Sequence, residues 1–240
     1  MPKVVQQEFR FRQHGGARVG AGRKRAPAGR RRVSHLARAT TKARFPVQIT
    51  KRVRKDVARL RRFELVKVLR RAFVYGCRKA IDADGRVVEF RICHFSIQGN
   101  HLHLICEASD NVALARGIQG WSVRIARGLN RYLGRRGSLF DDRYHLQILT
   151  TPSQTRNALC YVLQNARRHG ERIDPRFGGM DPFSSGWWFD GWKDESWKIG
   201  IPPPEARTVA APETWLLCVG WRLSKAGLIA IDEVPPAGRR

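Results

Sequence analysis

Two histidines separated by a single leucine form the most distinctive chemical pattern in the sequence. His101 and His103 lie in the apolar run Gly99–Glu107. In a β-strand both imidazoles would point to the same face of the sheet. Neutral histidine is the commonest metal ligand, so the pair predicts part of a divalent-metal site. On its own, the pair is equally compatible with two half-exposed surface histidines.

A tyrosine on a polar helical stripe is the second chemical pattern. Thr151–Gln154 has the sequence of a capping box with proline at the first helical position, and Gly170 predicts the end of the helix. Between them, Tyr161, Asn165 and Arg168 fall on one stripe. A hydroxyl and an amide one turn apart could do chemistry, although a lone tyrosine there also fits half-buried packing.

The elements that must position these residues alternate between strands and helices. Period-two alternation predicts strands over 45–53, 87–98 and 139–149, besides the histidine strand, and Gly99–Asn100 predicts a hairpin turn. Helical spacing predicts helices over 62–79 and 114–132. This order predicts an α+β fold, a ferredoxin-like (βαββαβ) antiparallel sheet with helices on one face and the other face free for a ligand. The helix bearing Tyr161 follows the sheet.

The helix predicted over 114–132 separates apolar from basic residues. Its apolar stripe consists of Leu114, Ile118, Trp121, Ile125, Leu129 and Tyr132, and outside it lie Arg116, Arg124, Arg127 and Arg131. The stripe predicts packing on the sheet.

The charge of the chain points to a polyanionic partner. The 240 residues include 46 Lys+Arg and 20 Asp+Glu, a formal net charge of +26. Nucleic acid is the expected partner, because basic side chains neutralise phosphates and release counterions. No apolar span or amphipathic anchor favours a membrane. Five widely spaced cysteines and no N-terminal signal region predict reduced thiols in a cytoplasmic protein.

Composition divides the chain into three parts. Residues 1–42 are rich in Gly, Ala and Arg and predict a flexible basic arm, residues 43–170 hold the two chemical patterns, and residues 171–240 form a Trp/Pro-rich C-terminal extension. The arm either contacts phosphates or is simply solvated. The tryptophans of the extension could stack on unpaired bases, but packing against the main core is the more common role.

Taken together, these segments resemble the single-tyrosine HUH transposases, and within them the REP-associated tyrosine transposase-like proteins of bacteria. The resemblance covers about residues 43–170 and rests on Asn100–Leu104, Gly137–His145 and Tyr161–Arg167. Trp215–Trp221 resembles the C-terminal segments of such proteins more weakly.

The resemblance implies a transposase-like endonuclease and strand transferase that acts on single-stranded DNA, often near a hairpin. It implies Tyr161 as the nucleophile of a 5′-phosphotyrosine intermediate, with His101, His103 and Asn165 as ligands of Mg²⁺ or Mn²⁺. Many relatives have Gln as the third ligand, so Gln164 is the alternative to Asn165. A bacterial, nucleoid-associated protein is expected, and the choice between monomer and homodimer stays open.

Basic residues near these motifs are the candidate DNA contacts. In the folded region they are Arg143, Arg167 and Arg168. In the arm they are Arg23, Lys24, Arg30, Arg31 and Arg32. His145 could carry a proton, although a structural role is the simpler expectation.

Two other functions fit parts of the same pattern. A replication-initiator or relaxase-like nickase would share the site. A non-catalytic RNA- or DNA-binding module would use the same βαββαβ plan, with aromatic side chains on the open sheet face as in RNA-recognition domains. Histidines rather than aromatic platforms occupy that face here.

Overall fold

The computed structural model describes residues 38–76, 80–81, 87–201, 204 and 207–235. The strands are β1 (Val47–Arg52), β2 (Ala80–Ile81), β3 (Val87–Val88), β4 (Phe90–Ile97), β5 (His101–Ala108) and β6 (His145–Ile148). The helices are α1 (Phe63–Gly76), α2 (Asn111–Tyr132), α3 (Pro152–Leu163), α4 (Asn165–Arg168) and α5 (Trp215–Cys218). Short 3₁₀ turns connect the later elements.

Four strands form one antiparallel sheet in the order β4-β5-β1-β6, and β2 and β3 pair separately. The α+β class and the antiparallel sheet are confirmed. The predicted strand over 87–98 is interrupted at Glu89, so its first residues belong to the small β2–β3 pair. The predicted strand over 139–149 is shorter, with Phe140 making only an isolated bridge to Val53.

The first face of the sheet is covered by α1 and α2. Leu102, Leu104 and Cys106 of β5 are fully buried there in a core with the apolar stripes of both helices. Asp110 caps α2 by accepting a hydrogen bond from the backbone N–H of Ala113. The predicted stripe of α2 is buried from Leu114 to Leu129, but its last member, Tyr132, is 52 % exposed.

The sequence predicted that the second face of the sheet is free. In the structure, part of this face is covered. A second core joins Ile105 of β5 to Leu159 and Val162 of α3 and to the tryptophans of the extension. The β1–β6 half of this face stays accessible, with Arg52, His145 and Gln147 exposed.

The predicted helix over 151–170 is two helices with a break at Gln164. Thr151 caps α3 by accepting a hydrogen bond from the backbone N–H of Gln154, while the Gln154 side chain accepts one from the N–H of Thr150. Gly170 has a positive φ of 65°, in agreement with its predicted role as the stop.

The extension packs mainly through its tryptophans, as expected. Trp192, Trp197 and Trp221 are buried in the second core, whereas Trp215 is largely exposed. Of the cysteines that the structure describes, Cys93, Cys106, Cys160 and Cys218 are all thiols. Within the described part of the chain, no helix has both the length and the apolar character needed to cross a membrane.

The last residues of the predicted basic arm already contact the folded body. Arg38 donates a hydrogen bond to the carbonyl of Tyr144, and Thr41 binds the Asn111 side chain. The five basic residues predicted to contact DNA from the arm lie outside the described residues.

Candidate metal and nucleophile site

The two histidines lie side by side at the start of β5, on the second face of the sheet. Nε2 of His101 is 2.9 Å from Nε2 of His103, and the rings meet edge to face. The antiparallel register places Thr50 of β1 beside His103 and Arg52 beside His101. The prediction that the two imidazoles share a face is therefore confirmed.

Hydrogen bonds to the far nitrogens orient both rings. Asn100 Oδ1 accepts a hydrogen bond from Nδ1 of His101 at 2.8 Å, which leaves Nε2 of that ring unprotonated in the neutral form. Nδ1 of His103 is 3.0 Å from the Thr50 hydroxyl. A hydroxyl can donate or accept, so His103 can present Nε2 either as an N–H or as a lone pair.

Both imidazoles are held neutral by their surroundings. Burial lowers the pKa of His101 to about 4, with smaller contributions from Arg52 and His169. Burial also lowers the pKa of His103 well below its usual value, and the neighbouring His101 adds to this effect. At neutral pH the pair therefore offers nitrogen lone pairs rather than positive charge.

Tyr161 projects from α3 towards this pair. Its half-buried ring lies edge to face against His103, with ring centroids 5.0 Å apart. The guanidinium carbon of Arg168 lies 5.5 Å from the centroid of the tyrosine ring. A cation at this position can attract a phosphate towards the tyrosine hydroxyl.

Asn165 follows Tyr161 by one turn and precedes His169 by another. The rings of Tyr161 and His169 contact the histidine pair, His169 with a centroid 6.0 Å from that of His101, and Asn165 lies between these two residues in the chain, directly after the break at Gln164. Asn165 is 0 % exposed, and neither Oδ1 nor Nδ2 has a hydrogen-bond partner among the described residues. A buried amide without partners costs free energy and calls for an explanation.

The neighbouring amide, Gln164, is fully engaged elsewhere. Its Nε2 donates to the carbonyls of Ala230 and Ile231 at 3.1 and 2.6 Å, and its Oε1 accepts from Nε of Arg167 at 3.3 Å. Gln164 is thus turned towards the C-terminal segment, whereas the Asn165 amide has no partner among the described residues.

The same C-terminal segment holds α3 through an ion pair. The buried guanidinium of Arg156 forms a two-bonded pair with the Glu233 carboxylate and donates to the carbonyls of Gly227 and Leu228. The Cys160 thiol donates to the same carboxylate. Burial first, and then the Glu233 charge, raise the pKa of Cys160 to about 12.

The donor set suits a divalent cation. Two cis ligands at the usual metal–nitrogen length are separated by roughly 3 Å, which the two Nε2 atoms match. The orphaned amide of Asn165 supplies an oxygen, a donor that Mg²⁺ and Mn²⁺ accept. Among the described residues, this site included, no group of three or more His, Cys, Asp or Glu side chains is placed to bind a metal, so the site would depend on the amide oxygen as its third protein donor.

The basic residues predicted to contact DNA are separated by the fold. Arg168 lies beside Tyr161. Arg143 lines a cavity of about 490 Å³ with Leu114 and Ile118 of α2, away from the histidine pair. Arg167 is turned inward, where it donates to the carbonyls of Ile231 and Gly179, so its side chain braces the extension.

Sequence reasoning missed two residues of the site and left a third undecided. Thr50 is set opposite His103 by the β1–β5 register, which no local pattern reveals. His169 continues the four-residue spacing of Tyr161 and Asn165, a signal that was available in the sequence. His145 pairs with Thr50 from the other side and shares its face, but it is exposed.

Comparisons with known proteins add little to this geometry. No family model matches the chain, and no curated protein sequence matches it. Among solved structures, a REP-associated tyrosine transposase bound to a REP hairpin is similar at a TM-score of 0.46 and 17 % identity, over 64 % of this chain and 82 % of that chain. A likeness at this level does not assign a family.

Proposed function

We propose that this protein is a metal-dependent endonuclease and strand transferase for single-stranded DNA, of the single-tyrosine HUH transposase type. Tyr161 is the nucleophile, and His101, His103 and Asn165 hold Mg²⁺ or Mn²⁺. Single-stranded DNA, with a hairpin near the cleavage point, is the substrate. The strand order β4-β5-β1-β6 agrees with a ferredoxin-like sheet in which the histidine strand lies centrally.

The proposed reaction exchanges one phosphodiester for another. The Tyr161 oxygen bonds to phosphorus, the bond from phosphorus to the 3′ oxygen breaks, and the phenolic proton is transferred so that the leaving strand ends in a 3′-hydroxyl. The 5′-phosphate stays on Tyr161. A 3′-hydroxyl can reverse the reaction or join a new strand, because the covalent bond conserves the bond energy.

The protein's own residues would position the strand and the nucleophile. When bound, the cation would supply charge neutralisation at the non-bridging phosphate oxygens. Arg168 would bring a further phosphate oxygen towards the tyrosine. The histidine rings are kept in place by Thr50 and Asn100, as outer hydrogen bonds commonly do for metal ligands.

The observation that carries this proposal is the buried, unpartnered amide of Asn165, which follows by four residues a tyrosine whose ring contacts His103. A purely structural site would leave that amide paired or replace it by an apolar residue. A cation that binds Oδ1 of Asn165 and the histidine lone pairs would satisfy the amide oxygen.

The non-catalytic binding module is less well supported. On the open half of the second face, cross-strand neighbours are Thr50 and His145, and Gln48 and Gln147. Base-stacking modules instead expose Phe, Tyr or Trp at such positions.

Covalent trapping would test the proposal. We would incubate the full chain with hairpin oligonucleotides that carry randomised single-stranded flanks, labelled at either end, with Mn²⁺, Mg²⁺ or a chelator. We expect a denaturation-resistant adduct that retains the 3′-end label, releases the 5′-end label and forms only with metal. If the pool yields no metal-dependent adduct, the proposed function is wrong.

A further inference from the structure

A groove between α1 and α2 lies on the other side of the sheet from the histidine pair. Both helices pack on the face that carries Leu102 and Leu104, whereas His101 and His103 alternate with these residues and point the opposite way. The groove encloses a cavity of about 540 Å³. Its lining consists of Val68, Arg71, Ala72, Arg124, Arg127, Gly128, Arg131 and Tyr132.

A glycine of α2, Gly128, lies beside the apolar lining of this groove. A Cβ on Gly128 would lie 2.8 Å from Cγ1 of Val68, closer than side chains tolerate, so glycine lets the two helices approach here. Val68 and Ala72 of α1 are among the apolar residues that line the groove. Tyr132 also lines it and stays 52 % exposed, although it continues the apolar stripe of α2.

The lining of the groove carries only one sign of charge. Its four charged lining residues are arginines, and α2 contains no Asp or Glu in its 22 residues. Arg71, Arg127 and Arg131 are exposed, and none of them forms a salt bridge with a described residue. Clustered like charges repel one another and destabilise the fold, so a bound polyanion would be stabilising.

We propose that this groove is a second nucleic-acid binding site, which holds a strand by its phosphates on Arg71, Arg127 and Arg131. One base or sugar packs on the Tyr132 ring and the apolar lining. Aromatic rings beside basic side chains are the usual combination for holding unpaired nucleic acid.

The spacing of the arginines supports a strand rather than a single phosphate. Arg127 and Arg131 are four residues apart, which corresponds to about 6 Å along the helix axis. Phosphates on one strand advance by about 3.4 Å each in B-form DNA, so the two arginines are roughly two phosphate steps apart.

Charge and shape together favour nucleic acid over a lipid surface. The lining of the groove is mainly apolar, and all its charged residues are arginines. A flat bilayer would meet the arginines and leave the groove unfilled, since membrane-bound helices present their large apolar residues outward. A flexible strand can follow the arginines and place a base inside.

Binding at this groove does not depend on the cleavage chemistry. Measurements on the full chain in the presence of a chelator suppress any metal-dependent reaction, so a failure of the proposed endonuclease function would leave the result interpretable. The probe is a short single-stranded oligonucleotide without a hairpin, titrated at several salt concentrations.

The decisive variant is Arg127→Gln with Arg131→Gln. Its matched control is Lys193→Gln with Lys225→Gln, which removes the same charge from exposed positions on the extension. Each phosphate contact on single-stranded nucleic acid contributes about 0.7 to the salt slope, so we expect the groove variant to reduce the slope by about 1.4. The control should leave the slope nearly unchanged. All four substitutions are at exposed residues, and thermal unfolding verifies folding.

Crosslinking would locate the strand. With 5-bromodeoxyuridine in the oligonucleotide, we expect a photo-crosslink on the peptide that contains Tyr132, retained in Tyr132→Phe and lost in Tyr132→Ala. An equal slope change in the two double variants, or no crosslink near Tyr132, would overturn the proposal. So would anionic phospholipid vesicles whose binding depends on Arg127 and Arg131 while oligonucleotide binding does not.

Discussion

The two sides of the α3–α4 segment differ in how their polar groups are satisfied. One side, with Arg156, Cys160 and Gln164, makes hydrogen bonds to the C-terminal segment 227–233. On the other side, the Tyr161 ring contacts His103, and the buried amide of Asn165 has no partner in the described part of the chain. Adjacent residues of similar chemistry, Gln164 and Asn165, therefore have opposite environments.

This difference distinguishes the polar side chains that stabilise the fold from those of the proposed ligand site. An unpaired buried polar group costs about 1–3 kcal/mol, and a folded protein gains nothing structural from keeping one. Such local conflicts are expected at functional sites. The side chains that have hydrogen-bond partners stabilise the helix, and the unpaired amide indicates the proposed ligand site.

The largest expected effect is on the unsatisfied side, at the hydroxyl of Tyr161. Tyr161→Phe removes the nucleophilic oxygen and should abolish covalent DNA adducts, while DNA binding and thermal stability change little. The matched control is Tyr144→Phe, because Tyr144 packs under Arg38 and belongs to the first core. Adduct formation by Tyr161→Phe would show that another residue is the nucleophile.

The two amides should respond in opposite ways to truncation. Asn165→Ala removes a proposed ligand and should raise the metal concentration for half-maximal cleavage by more than about 10-fold, a loss that even an outer-sphere partner can cause. The stability of the metal-free protein should not fall. Gln164→Ala should shift the metal requirement much less and cost about 1–3 kcal/mol of unfolding free energy, because it removes two hydrogen bonds to the C-terminal segment and leaves the half-buried carbonyl of Ala230 without its Gln164 donor.

Metal titrations of cleavage and chemical denaturation, done on both variants, measure this contrast. A larger metal shift for Gln164→Ala would transfer the ligand role to Gln164. Absence of a shift in either variant would limit the site to the two histidines.

The satisfied side should show its contribution at low pH. The hydrogen bond from Arg156 lowers the pKa of Glu233 below its usual value of 4.5, so the pair's stabilisation is complete above that pH and is lost as pH falls through the folded-state pKa. Glu233→Gln should destabilise the protein by about 1–3 kcal/mol at neutral pH, since Arg156 stays buried.

Denaturation curves from neutral pH to below 4.5 would measure this dependence. The difference between wild type and Glu233→Gln should shrink in acid. A constant difference across that range would mean that the pair does not account for the loss.

Features with a local period could be predicted from the sequence. The alternation around His101 and His103 gives their common face, and the four-residue spacing of Tyr161 and Asn165 gives their common stripe. The apolar stripe of α2 predicts its packing as far as Leu129. Each of these predictions depends only on neighbours within a few residues.

The rest depends on backbone groups far along the chain. Gln164 binds the carbonyls of Ala230 and Ile231, which every residue type possesses, so no side-chain pattern reveals the partner. The choice between Gln164 and Asn165 and the inward turn of Arg167 follow from the same segment. Because such contacts leave no pattern in the sequence, the second face of the sheet was predicted to be open. In the structure, the extension covers half of that face.

The Cys160 thiol, next to Tyr161 in the chain, acquires a chemical property from its setting. A thiol must ionise to react, and with a pKa of about 12 it stays protonated at any physiological pH. Cys160 therefore would not compete with the proposed nucleophile for phosphorus, and it resists alkylation and oxidation while it stays buried beside Glu233. Its labelling rate consequently measures how often the second core around the helix that carries Tyr161 opens.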